Sequence, residues 1–214
     1  MLPLIFSNPI FLILWAGSLV IAVTIHEFAH AWAAEQLGDP TPRLAGRLTL
    51  NPLAHLDPIG TLCLLIFRFG WGKPVPFDPF NLANPRRDGA LISLAGPISN
   101  LLFAFFLALI VRILPYFFSF YALTYILVPI IELNIVLAIF NLIPIHPLDG
   151  GKILIGLLPA NLANRWDEVL NQYGMLLLVL LLLPLAGGSL ASLVISPIIS
   201  MVMRLLLPFS GGYI

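Results

Sequence analysis

Between residues 9 and 34 the only charged side chain is Glu27, and it stands beside His26, one helical turn ahead of His30, in an otherwise apolar run. This His-Glu-x-x-His stretch constrains the chain more than any other feature. On an α-helix, residues four apart share a face, so His26 and His30 converge while Glu27 lies one residue along. In hydrocarbon a central charge such as Asp costs roughly 2.5–3.5 kcal/mol, so ionisable groups there pair with one another or mark a functional site. A fold for this chain must bury the patch against partners drawn from elsewhere.

The surroundings of the patch are a membrane. Of 214 residues, 60% are hydrophobic and 9% charged, against about 45–50% and 25% in soluble domains. Residues 9–38 form one apolar run, and at 1.5 Å per residue about 20 residues cross a bilayer. The run stops at Gly38-Asp39-Pro40-Thr41-Pro42, where a glycine and two prolines end the helix. Residues 39–88 hold Arg43, Arg47, Arg68, Lys73, Arg86 and Arg87, together with two candidate strands at residues 47–50 and 74–77. Within them, residues 58–69 are apolar but about a dozen long, which suits a re-entrant helix. Residues 89–114 and 119–143 read as the second and third spans, joined by a tight turn at Pro115. After a mixed segment at 144–172, residues 173–185 and 191–207 are two further apolar stretches split by Gly187-Gly188.

The expected fold is therefore an all-α polytopic membrane protein. It has about five to six transmembrane or re-entrant helices, with a small β-strand-containing insertion in the first cytoplasmic segment. Residues 1–214 read as a single domain, with a catalytic core at about 9–158 and C-terminal hydrophobic helices at about 170–207. No basic n-region or small-residue cleavage site marks a signal peptide. Basic residues concentrate on cytoplasmic loops, which puts residues 39–88 and 144–172 in the cytoplasm, the N-terminus outside, and the His-Glu-x-x-His turn about 10 Å from the cytoplasmic end of its helix. The net charge is zero, and no basic tract points to nucleic acid.

Two histidines leave a catalytic Zn²⁺ one protein ligand short. Cys63 is the single cysteine, so the third ligand must be a histidine or a carboxylate. The best source is the interrupted stretch at the cytoplasmic end of the third span, Asn141-Leu142-Ile143-Pro144-Ile145-His146-Pro147-Leu148-Asp149-Gly150-Gly151, where Asp149 is an isolated carboxylate. Irregular backbone at membrane depth is tolerated only where protein buries it or water lines it. Zn²⁺ lowers the pKa of its water to about 7, and a carboxylate placed as Glu27 is can take up a proton and pass it to a leaving amine.

In combination, His26-Glu27-x-x-His30, then Asn141, then Leu148-Asp149-Gly150 resemble the site-2 protease family of intramembrane zinc metalloproteases. Residues 46–60, Gly72-Lys73-Pro74-Val75-Pro76 and Gly96-Pro97-Ile98-Ser99-Asn100 fit its short prokaryotic branch. The resemblance implies Zn²⁺ on His26, His30 and Asp149, Glu27 as general base and acid, and Asn141 holding the scissile carbonyl or its oxyanion. It also implies cleavage in or near a transmembrane segment of a membrane-protein substrate, close to the cytoplasmic face. His146 stands where family members often have proline, and it competes for the ligand or an outer supporting role. PDZ and CBS modules are not expected. The location implied is a prokaryotic inner membrane or an organelle membrane.

Blander readings stand beside these. Asp149 could cap a helix starting at Lys152, Asn141 could satisfy backbone groups freed by a proline, and Gly96-Pro97 could be only a helix start or kink. Asn100 could be an interhelical hydrogen bond. His55 and His146 could meet near the metal and gate it. Glu132, alone in the third span, could pair with Arg112. A metal-ion transporter using the same His/Asp cluster is the alternative from another class, and it would spread ligands along a path. An unwound substrate could also pair as a strand with residues 47–50 or 74–77.

Overall fold

The structure is a computed structural model, which describes residues 9–67, 71–113, 121–185 and 188–207. Helix α1 (Pro9–Gln36) is followed by a single turn, α2 (Thr41–Leu44), and a ten-residue helix, α3 (Pro58–Phe67). Then come α4 (Pro85–Ile113), α5 (Tyr121–Asn141), α6 (Asp149–Leu157) and α7 (Ala160–Leu182). A two-stranded antiparallel hairpin, β1 (Pro184–Leu185) and β2 (Gly188–Ser189), leads into α8 (Leu190–Leu206).

Among the described residues three helices are long and apolar enough to cross a membrane: α1, α4, and the Leu123–Asn141 part of α5. The expectation of five to six transmembrane or re-entrant helices is corrected by this finding. Helix α3 spans only about 15 Å, and α8 has 17 residues. Helix α7 is long enough, but its polar and apolar halves are one continuous helix. Any eighteen-residue window in it takes in Arg165, Asp167 and Glu168. The proposed turn at Pro115, Arg68 and Gly187 lie outside the described residues.

The strands expected at residues 47–50 and 74–77 do not form either. Residues 47–50 bend, and residues 73–78 run without a ladder. For residues 74–77 the reason is proline: Pro74 and Pro76 have no N–H to give a partner. What holds the segment instead is one bridge, Leu56 with Gly72, and a bond from Lys73 N–H to His55 O at 2.8 Å. The hairpin at 184–189 is the only sheet among the described residues.

Helix α4 is the centre of the bundle and packs on α1, α5 and α6. Against α5 and α8 it buries Ala104, Leu107 and Ala108 with Ile131, Ile135 and Met203. Against the end of α1 it buries Ile92 with Ala33 and Ala34. Alanines fill the contact face of α1, and small residues let membrane helices approach closely. The outer face of α4 leaves Leu102, Phe105, Phe106 and Leu109 exposed, as lipid contact requires.

Asp39, fully buried just beyond α1, ties the helix end to the following loop. Its carboxylate accepts from Thr41 N–H and Oγ1–H, from Asp78 N–H and from Asn81 Nδ2–H. Burial raises its carboxyl, but the four donors outweigh this and hold it below the usual carboxylate range. A depressed pKa contributes stability above the unfolded value near 4 that is lost as pH falls through the folded value. Asp39→Ala is expected to cost roughly 2–3 kcal/mol through the orphaned donors. Thermal unfolding scans should show the wild type losing its advantage over the variant below about pH 4.

Candidate active site

The His26 and His30 side chains are buried on the face of α1 turned toward α4. Their Nε2 atoms reach the same oxygen, Asp149 Oδ2, at 3.0 and 3.2 Å. Asp149 is the first residue of α6, where the helix N-terminus favours a carboxylate. It gets there through a tight reversal after α5 that needs glycines. A Cβ on Gly150 would stand 2.2 Å from Ile143 O, and one on Gly151 would stand 2.5 Å from His146 Nδ1. Further along α6, a Cβ on Gly156 would strike Ala90 of α4 at 2.2 Å. Glycine at all three positions lets the short helix press against its neighbours and carry Asp149 to the histidines.

Each histidine gives its other nitrogen to an acceptor. His26 Nδ1–H donates to Asn100 Oδ1 at 2.7 Å, and His30 Nδ1–H donates to the Ile92 carbonyl at 2.7 Å. With Nδ1 protonated, a neutral ring keeps its lone pair on Nε2, which is how a metal-ligating histidine is held. Two lone pairs and a carboxylate then face one another, so a cation or a shared proton must lie among them. Burial raises the Asp149 carboxyl, but the positive charge of a proton held with His30, and the contacts to both histidines, outweigh it and hold the group well below the usual carboxylate range, as a cation among the three would. The three ligand atoms lie within 4.8 Å of one another, the one such cluster among the described residues. Tetrahedral zinc with bonds of about 2.0 Å would separate its ligands by about 3.3 Å, close to the two spacings seen. The donor set fits the ion.

Glu27 projects toward the extended segment. Its Oε2 accepts from Val75 N–H at 3.2 Å, and Oε1 lies 3.8 Å from where a Cβ on Gly72 would stand. Since Pro74 and Pro76 flank Val75, this is the one peptide N–H between them. The segment is anchored by Arg47, whose guanidinium donates to Ala54 O and Lys73 O, and by Lys152, whose Nζ sits 4.7 Å over the Phe77 ring. Arg47 is buried, which lowers its guanidinium below the usual arginine range, and the charge of Glu27 opposes that shift.

Of the other residues read from the sequence, Asn100 belongs to the centre. Asn141 does not join it: its Nδ2 donates to Leu137 O in its own helix at 3.0 Å. His55 is fully buried, with Nε2 on Thr49 O at 2.8 Å. His146 turns to Asp167 Oδ1 on α7 at 3.3 Å. The last two thus have separate partners and do not meet at the triad. No ion pair joins Glu132 to Arg112 among the described residues.

Sequence reasoning singled out the stretch from Gly96 to Asn100 but missed the part Gly96 plays, directly behind the two histidine rings. A Cβ there would stand 2.5 Å from His30 Nε2 and 2.6 Å from His26 Cε1. The signal was a glycine one helical turn from Asn100, but its neighbour Pro97 made a kink the simpler reading. Gly96→Ala is expected to push both rings off position and weaken metal binding about 10–100-fold. Competition with a chelator would measure the loss.

Comparison with known proteins agrees with the geometry. Residues 117–181 match the model of peptidase family M50. The chain is 39% identical over 186 residues to "Putative zinc metalloprotease YwhC" of Bacillus subtilis (strain 168), covering 79% of this chain and 80% of that protein. It is 32% identical over 183 residues to "Putative zinc metalloprotease Rip2" of Mycolicibacterium smegmatis, covering 81% and 68%. It is 26% identical over 154 residues to "Zinc metalloprotease MJ0392" of Methanocaldococcus jannaschii, covering 72% and 37%. No solved structure matches. Long apolar helices make this an integral, multi-pass membrane protein, and the YwhC match spans four-fifths of both partners. The chain therefore belongs to peptidase family M50, the site-2 proteases, as a zinc-dependent metalloprotease that acts on membrane-embedded protein substrates.

Proposed function

We propose that His26, His30 and Asp149 hold a single Zn²⁺ and that the chain hydrolyses peptide bonds in or near a substrate's transmembrane segment, close to the cytoplasmic face. The observation that carries this is the convergence of two Nε2 lone pairs and one ionised carboxylate inside an apolar helix bundle. Zn²⁺ bound there would supply Lewis acidity, polarising a peptide carbonyl and acidifying water. Glu27 takes up a proton and returns it to the leaving amine. Val75 N–H holds one of its oxygens, which leaves Oε1 for the proton. Asn141 would assist the carbonyl only by leaving its bond to Leu137 O.

A transporter would need further ligands along a path, and the triad is the one such cluster among the described residues. In this reading residues 1–214 act as one catalytic unit in a prokaryotic inner membrane, with the basic loops on the cytoplasmic side. The substrate is a transmembrane protein or peptide.

Metal removal tests the reading. Protein purified in lipid should carry one zinc per chain, lose cleavage of a membrane-protein substrate on chelation, and regain it when Zn²⁺ is restored. Cleavage that survives complete removal of metal would sink it.

A further inference from the structure

His26 is held by a line of amides that ends outside every sequence motif. Asn100 on α4 accepts His26 Nδ1–H at 2.7 Å. Its own Nδ2 donates to Ala22 O on α1 at 3.0 Å and to Asn134 Oδ1 on α5 at 2.7 Å. Asn134 Nδ2 in turn donates to Ile130 O at 2.7 Å. Asn100 and Asn134 are both fully buried, at 0% exposure.

Each amide in this line can face only one way. A backbone carbonyl only accepts, so Ile130 O takes Asn134 Nδ2, and Asn134 must show its oxygen to Asn100. Asn100 then meets two acceptors with its Nδ2, and its oxygen is left for His26. A carbonyl oxygen at 2.7 Å requires N–H at Nδ1, which puts the ring's lone pair on Nε2, the atom facing Asp149. Without Asn134, one Asn100 N–H loses its partner in a dry interior, and Ala22 O alone orients the amide.

We infer that Asn134 is a positioning residue which, through Asn100, fixes the tautomer and ring orientation that let His26 bind a metal. The inference rests on the reading of His26 as a ligand. It also explains why α5, which contributes no ligand, carries a buried asparagine where an aliphatic residue would pack more easily. A polar group at that depth is otherwise costly unless its bonds are satisfied.

The test is zinc affinity by competition with a chromophoric chelator, using the full chain in lipid nanodiscs. Asn134→Ser is the principal variant. Its hydroxyl can bond back to Ile130 O, as Ser18 does to Leu14 O at 2.6 Å, yet it is too short to reach Asn100. Asn134→Thr replaces it if the serine variant does not accumulate, since Thr24 makes the same bond to Val20 O. Asn134→Asp, neutral in so apolar a site, keeps one donor and one acceptor and serves as the rescue.

The serine variant should bind zinc about tenfold more weakly, the lower end of the effect of losing support behind a ligand. The aspartate variant should bind nearly as wild type. The double variant Asn100→Ala/Asn134→Ser should bind no more weakly than Asn100→Ala alone, because residues acting in series are not additive. Unchanged affinity in the serine variant, or a double variant whose loss is the product of the two single losses, would overturn the inference. A wild type that takes up no stoichiometric zinc would overturn it by a different route, by removing His26 as a ligand.

Discussion

Glu27→Gln should lower peptide hydrolysis by about 10²–10⁴-fold, the range of a general base and acid, while the zinc content stays at one per chain. Glutamine keeps the length of the side chain and still accepts Val75 N–H, so the packing of the 73–78 segment is preserved. What it cannot do is take up a proton. Single-turnover cleavage of a membrane substrate, read beside metal analysis of the same preparation, separates the two effects. Loss of metal along with activity would give Glu27 a role in binding, and full activity would remove it from the chemistry.

Asp149→Ala and His146→Ala should behave oppositely. Asp149 supplies the only carboxylate in the triad, and its removal leaves two neutral imidazoles, short of the three protein ligands a catalytic zinc needs. Stoichiometric zinc should be lost on dialysis, and activity with it. His146 sits three residues earlier, but its Nε2 is turned to Asp167 and its ring lies against Gly151. Its alanine variant should keep the metal and lose at most some stability in the turn between α5 and α6. Zinc retained in Asp149→Ala and lost in His146→Ala would reverse the assignment.

The convergence of His26, His30 and Asp149 was legible in the sequence because their chemistry is dense and local. Two histidines at helical spacing in an apolar run, and one carboxylate in an interrupted stretch, leave little room for a purely structural role. The supports were harder to read. Gly96 and Asn134 act by where the fold brings them, the first by having no Cβ behind the rings and the second by facing Asn100 across two helices. Gly96 left only a faint local trace, its place one turn from Asn100, and Asn134 left none. Hydropathy also misled at the C-terminal end, where residues 173–185 look like a separate segment but residues 173–182 continue a helix whose first half is charged, and 184–185 belong to β1. Prolines at 74 and 76 were the overlooked warning in the candidate strand, since they strip the N–H groups from one of its edges and leave it at most a one-sided ladder.

His26 and Asp149 are 123 residues apart in the chain and 3.0 Å apart in space. During synthesis at about 5–20 residues per second, roughly 6–25 s separate their emergence. Throughout that interval the chain carries only two of the three residues of the triad. A hydrolase assembled from one continuous motif would be armed as soon as that motif was made. Here Asp149, the first residue of α6, follows the last of the three candidate spans among the described residues, so the triad is complete only once all three of those helices have been made.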